Sequence, residues 1–238
     1  MSVIAIPPTG DFHPALRRLA AMVELTDADR VALRGAVGRE RSVKARGELL
    51  QEGKPIRERL LVLSGWAARV RILQDGRRQI INFLLPGDLI GNCSHANPLA
   101  PSTVAALTPL TVCSLPDPAT SPTLCEAYAL SAATETAYLM AQIVRLGRMT
   151  ASERVEDLLL ELMERLEITG LAREGHYAMP ITQETIADAL GLTSVHVNRM
   201  LQRSRQAKRL RWARGAMEIA APAEMRRDVG RMPVRVSQ

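Results

Sequence analysis

The side chains best suited to recognise another molecule lie between residues 181 and 210, in the run ITQETIADALGLTSVHVNRMLQRSRQAKRL. Ser194, His196, Asn198, Arg199 and Arg203 carry hydrogen-bonding or cationic groups at positions that a helix would leave facing outward. From 194 to 215 the basic residues are Arg199, Arg203, Arg205, Lys208, Arg209, Arg211 and Arg214, and no Asp or Glu interrupts them. A cationic run without acids suits a phosphate backbone, where neutralisation and counterion release dominate affinity.

The elements needed to hold these groups are legible around them. Thr182 is placed to cap a helix in which Ile186, Ala189 and Leu190 form one apolar face at i, i+3 and i+4. Gly191 follows, where a chain reversing between helices needs positive φ. Thr193 caps a second helix, about Ser194–Gln206, with Val197, Met200 and Leu201 inward. Two short helices, a glycine turn and an outward polar and basic face make a helix-turn-helix whose second helix would enter the major groove of double-stranded DNA.

Composition agrees and excludes other classes. The 238 residues carry a formal net charge of +6, which favours an anionic partner. Aromatic residues make up 3%, too few for stacking platforms that hold single strands. No run reaches the ~18 apolar residues of a membrane span, so no membrane partner is expected. The first residues lack a basic region followed by an apolar core, and Cys93, Cys113 and Cys125 do not make a disulfide framework, so a cytoplasmic location is expected.

The expected fold class is α+β. Residues 1–121 read as N-terminal helices followed by a β-roll: helical segments near 14–23 and 26–37, then short apolar runs at 60–64, 66–73, 79–85, 103–107 and 110–115. Asp75-Gly76 between two such runs predicts a hairpin. Residues 122–150 read as one long helix with two apolar stripes: Leu139, Ile143 and Leu146, and Met140, Ala141 and Val144. Two stripes need two neighbours; the β-roll would take one and the same helix of a second subunit the other. Residues 151–221 hold a further amphipathic helix, the helix-turn-helix, and a two-stranded wing around residues 213–215. The tail, 222–238, is basic and without sustained period, and is expected to be loosely ordered.

This order of parts resembles the Crp/Fnr family of bacterial transcription regulators. The matching residues are Arg46-Gly47-Glu48, Glu52-Gly53, Leu63-Ser64-Gly65, Asp75-Gly76, Pro86-Gly87-Asp88-Leu89-Ile90-Gly91, and the helix-turn-helix with Gly191-Leu192-Thr193 and Asn198-Arg199. The resemblance implies a jelly-roll sensor like a cyclic-nucleotide-binding domain, a dimerisation helix, a homodimer on an inverted repeat, and RNA polymerase as a further partner. By it, Ser194, His196, Asn198 and Arg199 read bases, Arg199 by pairing with guanine O6 and N7. Thr182, Thr193, Arg203 and Lys208 contact phosphate. Relatives that read TTGAT or TGTGA half-sites carry glutamate where this chain has Val195, so a different half-site is expected.

The resemblance places an effector pocket near Gly91, Asn92, Ser102 and Thr103. Cyclic-nucleotide members hold ribose and phosphate with a Gly-Glu and an Arg-Ser; here Gly91 is followed by Asn92, and the expected Arg-Ser region reads Ala100-Pro101-Ser102-Thr103. A buried phosphate without its arginine lacks a counter-charge, which argues against cyclic AMP in the usual mode and leaves the effector unknown. Cys113 resembles an internal cluster cysteine of the oxygen-sensing branch, but no cysteine precedes residue 93, which argues against an iron–sulfur cluster. Cys93-Ser94-His95 offers haem-ligand types at inexact spacing, so haem stands as the alternative to a chain without cofactor or metal.

Two other function classes compete. An enzyme would need a constellation such as GxxxxGK[ST], GxSxG or HExxH, and the sequence has none. A ligand-binding sensor module without sequence-specific DNA reading would have no use for the basic helix-turn-helix.

Overall fold

The computed structural model describes residues 13–93 and 95–236. Two short helices lead in, α1 (Pro14–Ala20) and α2 (Asp27–Val37). Thr26 closes a capping box on α2: its hydroxyl accepts from the Asp29 N–H, and the Asp29 carboxylate accepts from the Thr26 N–H.

Eight strands follow: β1 (Arg41–Val43), β2 (Glu48–Leu50), β3 (Leu60–Ser64), β4 (Ala67–Ile72), β5 (Arg78–Leu84), β6 (Leu89–Ile90), β7 (Thr103–Ala106) and β8 (Leu110–Ser114). They form two antiparallel four-stranded sheets, ordered β1-β8-β3-β6 and β2-β7-β4-β5, the expected roll. The continuous apolar run of β3 is explained by burial on both faces. Leu60 and Val62 join the core between the sheets, while Leu61 and Leu63 pack with Leu16, Leu19 and Leu33 of α1 and α2. At the Asp75-Gly76 hairpin the Asp75 carboxylate accepts from the Arg77 N–H at 3.0 Å, and Gly76 takes φ 84°. Gly87 closes another turn with φ 94°; a Cβ there would meet the Ala15 carbonyl and the Arg18 side chain, so its absence lets α1 settle on the roll.

After a 3-10 turn at Pro118–Thr120, helix α3 (Pro122–Arg148) runs for 27 residues. Its own-chain face corrects the expectation. From Ser131 onward the buried positions are Ser131, Thr134, Tyr138, Gln142 and Arg145, not an apolar stripe. Both predicted stripes turn outward: Met140 is 62% and Ile143 70% exposed, Val144 is exposed, and Leu139 and Leu146 are half-buried.

The remaining elements are α4 (Ala151–Thr169), β9 (Ala172–Arg173), β10 (His176–Ala178), α5 (Gln183–Leu190), α6 (Ser194–Gln206), β11 (Leu210–Ala213), β12 (Ala216–Ile219) and α7 (Pro222–Asp228). The expected two-stranded wing is β11 and β12, and β10 and β9 extend it to a sheet ordered β11-β12-β10-β9. The expectation of a loose tail is corrected. Residues 222–228 form α7, Met225 is buried, and buried Arg231 pairs with Asp157 and Glu164, each at 2.9 Å. The last two residues of the predicted tail lie outside the described residues. Among the described residues, no helix is long and apolar enough to cross a membrane.

One apolar core spans both halves of the chain, joining Val70, Ile80 and Phe83 of the roll to Leu158 and Leu162 of α4 and to Ile186 and Leu190 of α5. Beside it lies a buried chain of alternating charges. Asp88, in the turn before β6, accepts from Arg18 of α1, from Arg165 of α4 and, at 2.7 Å, from the Leu85 N–H. Arg165 also meets Glu161; Arg145 of α3 joins Glu161 to Asp157; and Asp157 meets Arg231. Arg145 and Arg165 are each 1% exposed. Breaking a buried ion pair from one side leaves its partner charged in a low dielectric. Asp88→Asn is therefore expected to lower stability by about 3–5 kcal/mol in urea denaturation. Asp75→Asn, in an exposed pair with Arg77, should move the midpoint far less. Equal midpoints for the two variants would contradict this account.

Candidate nucleic-acid interface

The helix-turn-helix is built as its sequence indicates. The Thr182 hydroxyl accepts from the Thr185 N–H at 3.1 Å, and Ile186, Ala187, Ala189 and Leu190 are buried. Gly191 takes φ 62°, the left-handed turn that ends α5 and admits α6. The Thr193 hydroxyl accepts from the His196 N–H at 3.2 Å, fixing the first turn of α6. Val197, Met200, Leu201 and Ser204 form its buried face.

At about 100° per residue, that face sets what points away from the protein. Val195, Arg199, Gln202 and Gln206 lie opposite the buried residues, all exposed; Asn198 and Arg203 flank them. Ser194 and His196 are exposed but lie toward the margins. The four predicted readers are thus not equivalent: Arg199 is central, Asn198 flanking, Ser194 and His196 marginal. Val195, which stands where relatives carry glutamate, belongs to the central ridge, as does Gln202, which the sequence reading did not name. The spacing of Val197, Met200, Leu201 and Ser204 carries that signal once the serine is recognised as inward.

The cationic run is nearly all available. Arg199, Arg203, Arg205, Lys208, Arg211 and Arg214 are exposed, and among the described residues none of them forms an ion pair with a carboxylate. Arg209 is different. It donates to both Glu156 oxygens of α4, at 3.2 and 2.9 Å, and to Asp228 of α7 at 2.6 Å. Lys208, with φ 56°, sits in the turn after α6, and Arg214 (φ 53°) with Gly215 (φ 73°) forms the wing tip. Thr182 and Thr193 are exposed, with their hydroxyls engaged in capping.

The reading module is seated on the rest of the chain through the end of α5. Gln142 of α3 donates to the Ala189 carbonyl at 2.6 Å, Gln79 of β5 donates to the same oxygen at 3.3 Å, and Arg78 pairs with Asp188 at 2.6 Å.

The four residues predicted for an effector pocket are differently employed. Gly91 takes φ 72°, where a Cβ would strike the Glu58 carbonyl. The Asn92 amide donates to the Tyr128 carbonyl of α3 at 2.7 Å, and its oxygen accepts from Arg59 at 2.8 Å. The Thr103 hydroxyl accepts from the Glu52 N–H at 3.2 Å. The Ser102 hydroxyl is buried and makes no hydrogen bond among the described residues. Arg69 of β4 pairs with Glu135 of α3, so the roll and the long helix already meet through charge.

Cys93 and His95 are exposed, and the His95 ring accepts from the Asn97 N–H at 3.2 Å; Ser94 between them lies outside the described residues. Cys113 is buried beneath α1 and α2, and burial pushes its thiol up to about 11.

Residues 40–121 match the cyclic nucleotide-binding domain family, and residues 153–228 match the Crp-like helix-turn-helix domain. A nitrogen fixation regulation protein FixK of Rhizobium meliloti is 30% identical over 189 residues, 78% of this chain and 82% of that protein. The chain belongs to the Crp/Fnr family of transcription regulators. The FixK of Bradyrhizobium diazoefficiens is 28% identical over 232 residues, covering 94% of this chain and 96% of that protein. The solved structure of FixK2 from Bradyrhizobium japonicum superposes with a TM-score of 0.69 at 27% identity, covering 79% of this chain and 95% of that one. This Crp/Fnr chain therefore carries a transcription regulator's DNA-binding module, and its family is not one of enzymes.

The thiols differ enough for a direct check. At pH 8 a thiol near 11 is roughly one part in a thousand thiolate, the reactive form. Ellman's reagent is expected to titrate exposed Cys93 and Cys125 quickly and Cys113 only after denaturation; three fast thiols in the folded protein would contradict the packing.

Proposed function

We propose that this regulator acts as a homodimer that reads an inverted repeat, each α6 lying in the major groove of one half-site. The observation that carries the reading is the outward ridge of α6, with Arg199 at its centre and unpaired cations on either side. Arg199 pairs bidentately with a guanine, and Asn198 reaches an adenine edge from the flank. Arg203, Arg205, Lys208 and Arg214 neutralise phosphates, and the free N–H groups at the ends capped by Thr182 and Thr193 donate to phosphate oxygens. Arg209 holds α4 and α7 together and takes no part in DNA contact.

Support for the homodimer comes from α3. Met140, Ile143 and Val144 recur at i, i+3 and i+4 on its exposed side, and none of them is buried by the described residues. A twin helix would bury them as coiled-coil neighbours do. Two copies would hold the recognition helices about 34–36 Å apart, one turn of DNA.

The roll supports regulation without cyclic AMP in the usual mode. The segment Ala100-Pro101-Ser102-Thr103, where the resemblance expects a phosphate-holding arginine, contains none, and both ends of the Asn92 amide are engaged. We assign no resident cofactor to the exposed loop with Cys93 and His95, where the His95 Nδ1 accepts the Asn97 N–H. RNA polymerase follows as a partner from the family's role, as does a cytoplasmic site of action.

In-vitro selection of duplex DNA by the purified protein tests the reading. It is expected to enrich a palindrome other than TTGAT or TGTGA, with added cyclic AMP changing affinity less than about twofold. Arg199→Ala should relax one base pair per half-site and cost about 1–3 kcal/mol there. No enrichment from folded protein, with or without cell extract, would refute it. Ile143→Glu is expected to shift sedimentation from dimer to monomer and weaken binding to the palindrome; an unchanged dimer would place the subunit contact elsewhere.

A further inference from the structure

We propose that Lys208 is an acylation site: a small acyl phosphate, cradled by the guanidinium groups beside it, transfers its acyl group to Nζ and removes a positive charge from the DNA-facing surface. The transfer stands on the groove around Lys208, and its consequence rests on the proposed contact of this surface with DNA phosphates.

The composition of the cationic surface singles the residue out. Of the 31 basic side chains in the sequence, three are lysines: Lys44, Lys54 and Lys208. The other exposed cations of α6 and the wing, Arg199, Arg203, Arg205, Arg211 and Arg214, are all arginines. A guanidinium stays protonated and does not take an acyl group at neutral pH, whereas a lysine amine is a nucleophile once it sheds its proton. Acyl transfer can therefore cancel one charge per subunit on this surface, and only at Lys208. Lys44 and Lys54 follow β1 and β2 on the roll, so acylation there leaves the phosphate contacts intact.

Local structure presents the amine. Lys208 is exposed in the turn between α6 and β11, where its N–H donates to the Arg205 carbonyl at 2.9 Å and the Arg209 N–H donates to the Ser204 carbonyl at 2.8 Å. These bonds fix the backbone from which the side chain leaves. Beside it lies a groove of 390 Å³, lined among others by Arg205, Arg211, Trp212, Ala213 and Glu218. Glu218 stands opposite Arg211 across the β11–β12 ladder. With Lys208 the groove holds three cations against that one carboxylate, a field that draws a phosphate group. The guanidinium forks of Arg205 and Arg211 match phosphate oxygens, and Trp212 with Ala213 offers apolar surface to the acyl end.

The step balances within the donor and the amine. The neutral Nζ attacks the acyl carbon, a C–N amide bond forms, and the C–O bond to phosphorus breaks. Phosphate leaves with the electron pair and takes the amine proton. The product amide carries no charge. Each lost phosphate contact should make the dependence of log affinity on log salt shallower by about 0.9, so a dimer modified twice loses about 1.8. At 0.1 M salt its affinity should fall about tenfold or more. Because phosphate contacts carry no sequence information, matched and mismatched sites should weaken together.

Incubation of the full chain with acetyl phosphate at pH 8, followed by peptide mass mapping and equilibrium DNA binding, tests this. Lys208 should be acetylated faster than Lys44 and Lys54. Excess inorganic phosphate should slow Lys208 alone, and bound duplex should protect it while leaving the other two at their free rates. Treatment should weaken DNA binding by the parent protein and leave Lys208→Arg, which keeps the charge but not the nucleophile, unchanged; Lys208→Gln should bind as the treated parent does. Labelling of Lys208 no faster than of Lys44 and Lys54, or an equal loss of affinity in treated Lys208→Arg, would overturn the assignment while leaving sequence-specific binding intact. Failure of the untreated protein to select any palindrome would instead overturn the DNA reading, and the labelling rates would still decide the site.

Discussion

The carboxylate of Asp88 is the point on which the two halves of this chain depend. It receives Arg18 from the first helix and Arg165 from the helix that opens the DNA-binding domain, while its own turn is closed by the Leu85 N–H. From Arg165 the charges continue inward through Glu161, Arg145 and Asp157 to Arg231. Each ion is removed from water, so each requires the next; the desolvation cost is offset only where the alternation is unbroken. Tyr138 is enclosed with them, its ring 4.7 Å from the Arg165 guanidinium, and burial pushes its phenol above the ordinary range. The charges thus specify one seating of α4 against α3 and the roll, where apolar contacts alone would tolerate sliding.

That arrangement explains the unusual faces of α3. The side that meets the chain's own charges must be polar, and Ser131, Thr134, Gln142 and Arg145 occupy it. The apolar residues are thereby left on the outside, where the proposed twin helix would cover them. Arg209 and Arg231 show the same economy at the other end of the domain. Both belong by sequence to a basic region, and both are withdrawn from solution to bind α4 to the C-terminal segment.

Local features were legible in the sequence, and long-range ion pairs were not. Thr182, Gly191 and Thr193 announce the helix-turn-helix because capping and positive φ act over a few residues. Asp75-Gly76 announces its hairpin for the same reason, and the strands of the roll betray themselves by their length and turn residues. Helix α7 escaped because its seven residues carry one buried apolar side chain, Met225, and its other anchors, Arg209 on Asp228 and Glu164 on Arg226, lie outside it in the chain. The long helix was correctly bounded, but its inward face was misassigned, since nothing in its period marks Gln142 and Arg145 as partners of distant groups. At the interface, Arg199 and Asn198 drew notice by their chemistry and Val195 by its place where relatives carry glutamate, whereas the central position of Gln202 and the marginal one of Ser194 and His196 follow only once the inward face of α6 is known. The residues expected to line an effector pocket were named by position alone; the engagement of Asn92 with Arg59 and Tyr128 depends on contacts between separate elements.

The carbonyl of Ala189 receives amide hydrogens from both Gln142 and Gln79. It stands only four residues before Thr193, where the recognition helix begins, with the tight Gly191 turn between. The helix expected to form the subunit seam and the helix expected to enter the groove are therefore geared together with very little backlash. Pitch at the seam sets pitch at the groove: a small roll of α3 about its axis would swing the tip of α6 through an arc, and two such tips facing one rigid duplex would gain or lose their separation together. In the proposed dimer, spacing between half-sites would be a dimension machined into Gln142, far from any base.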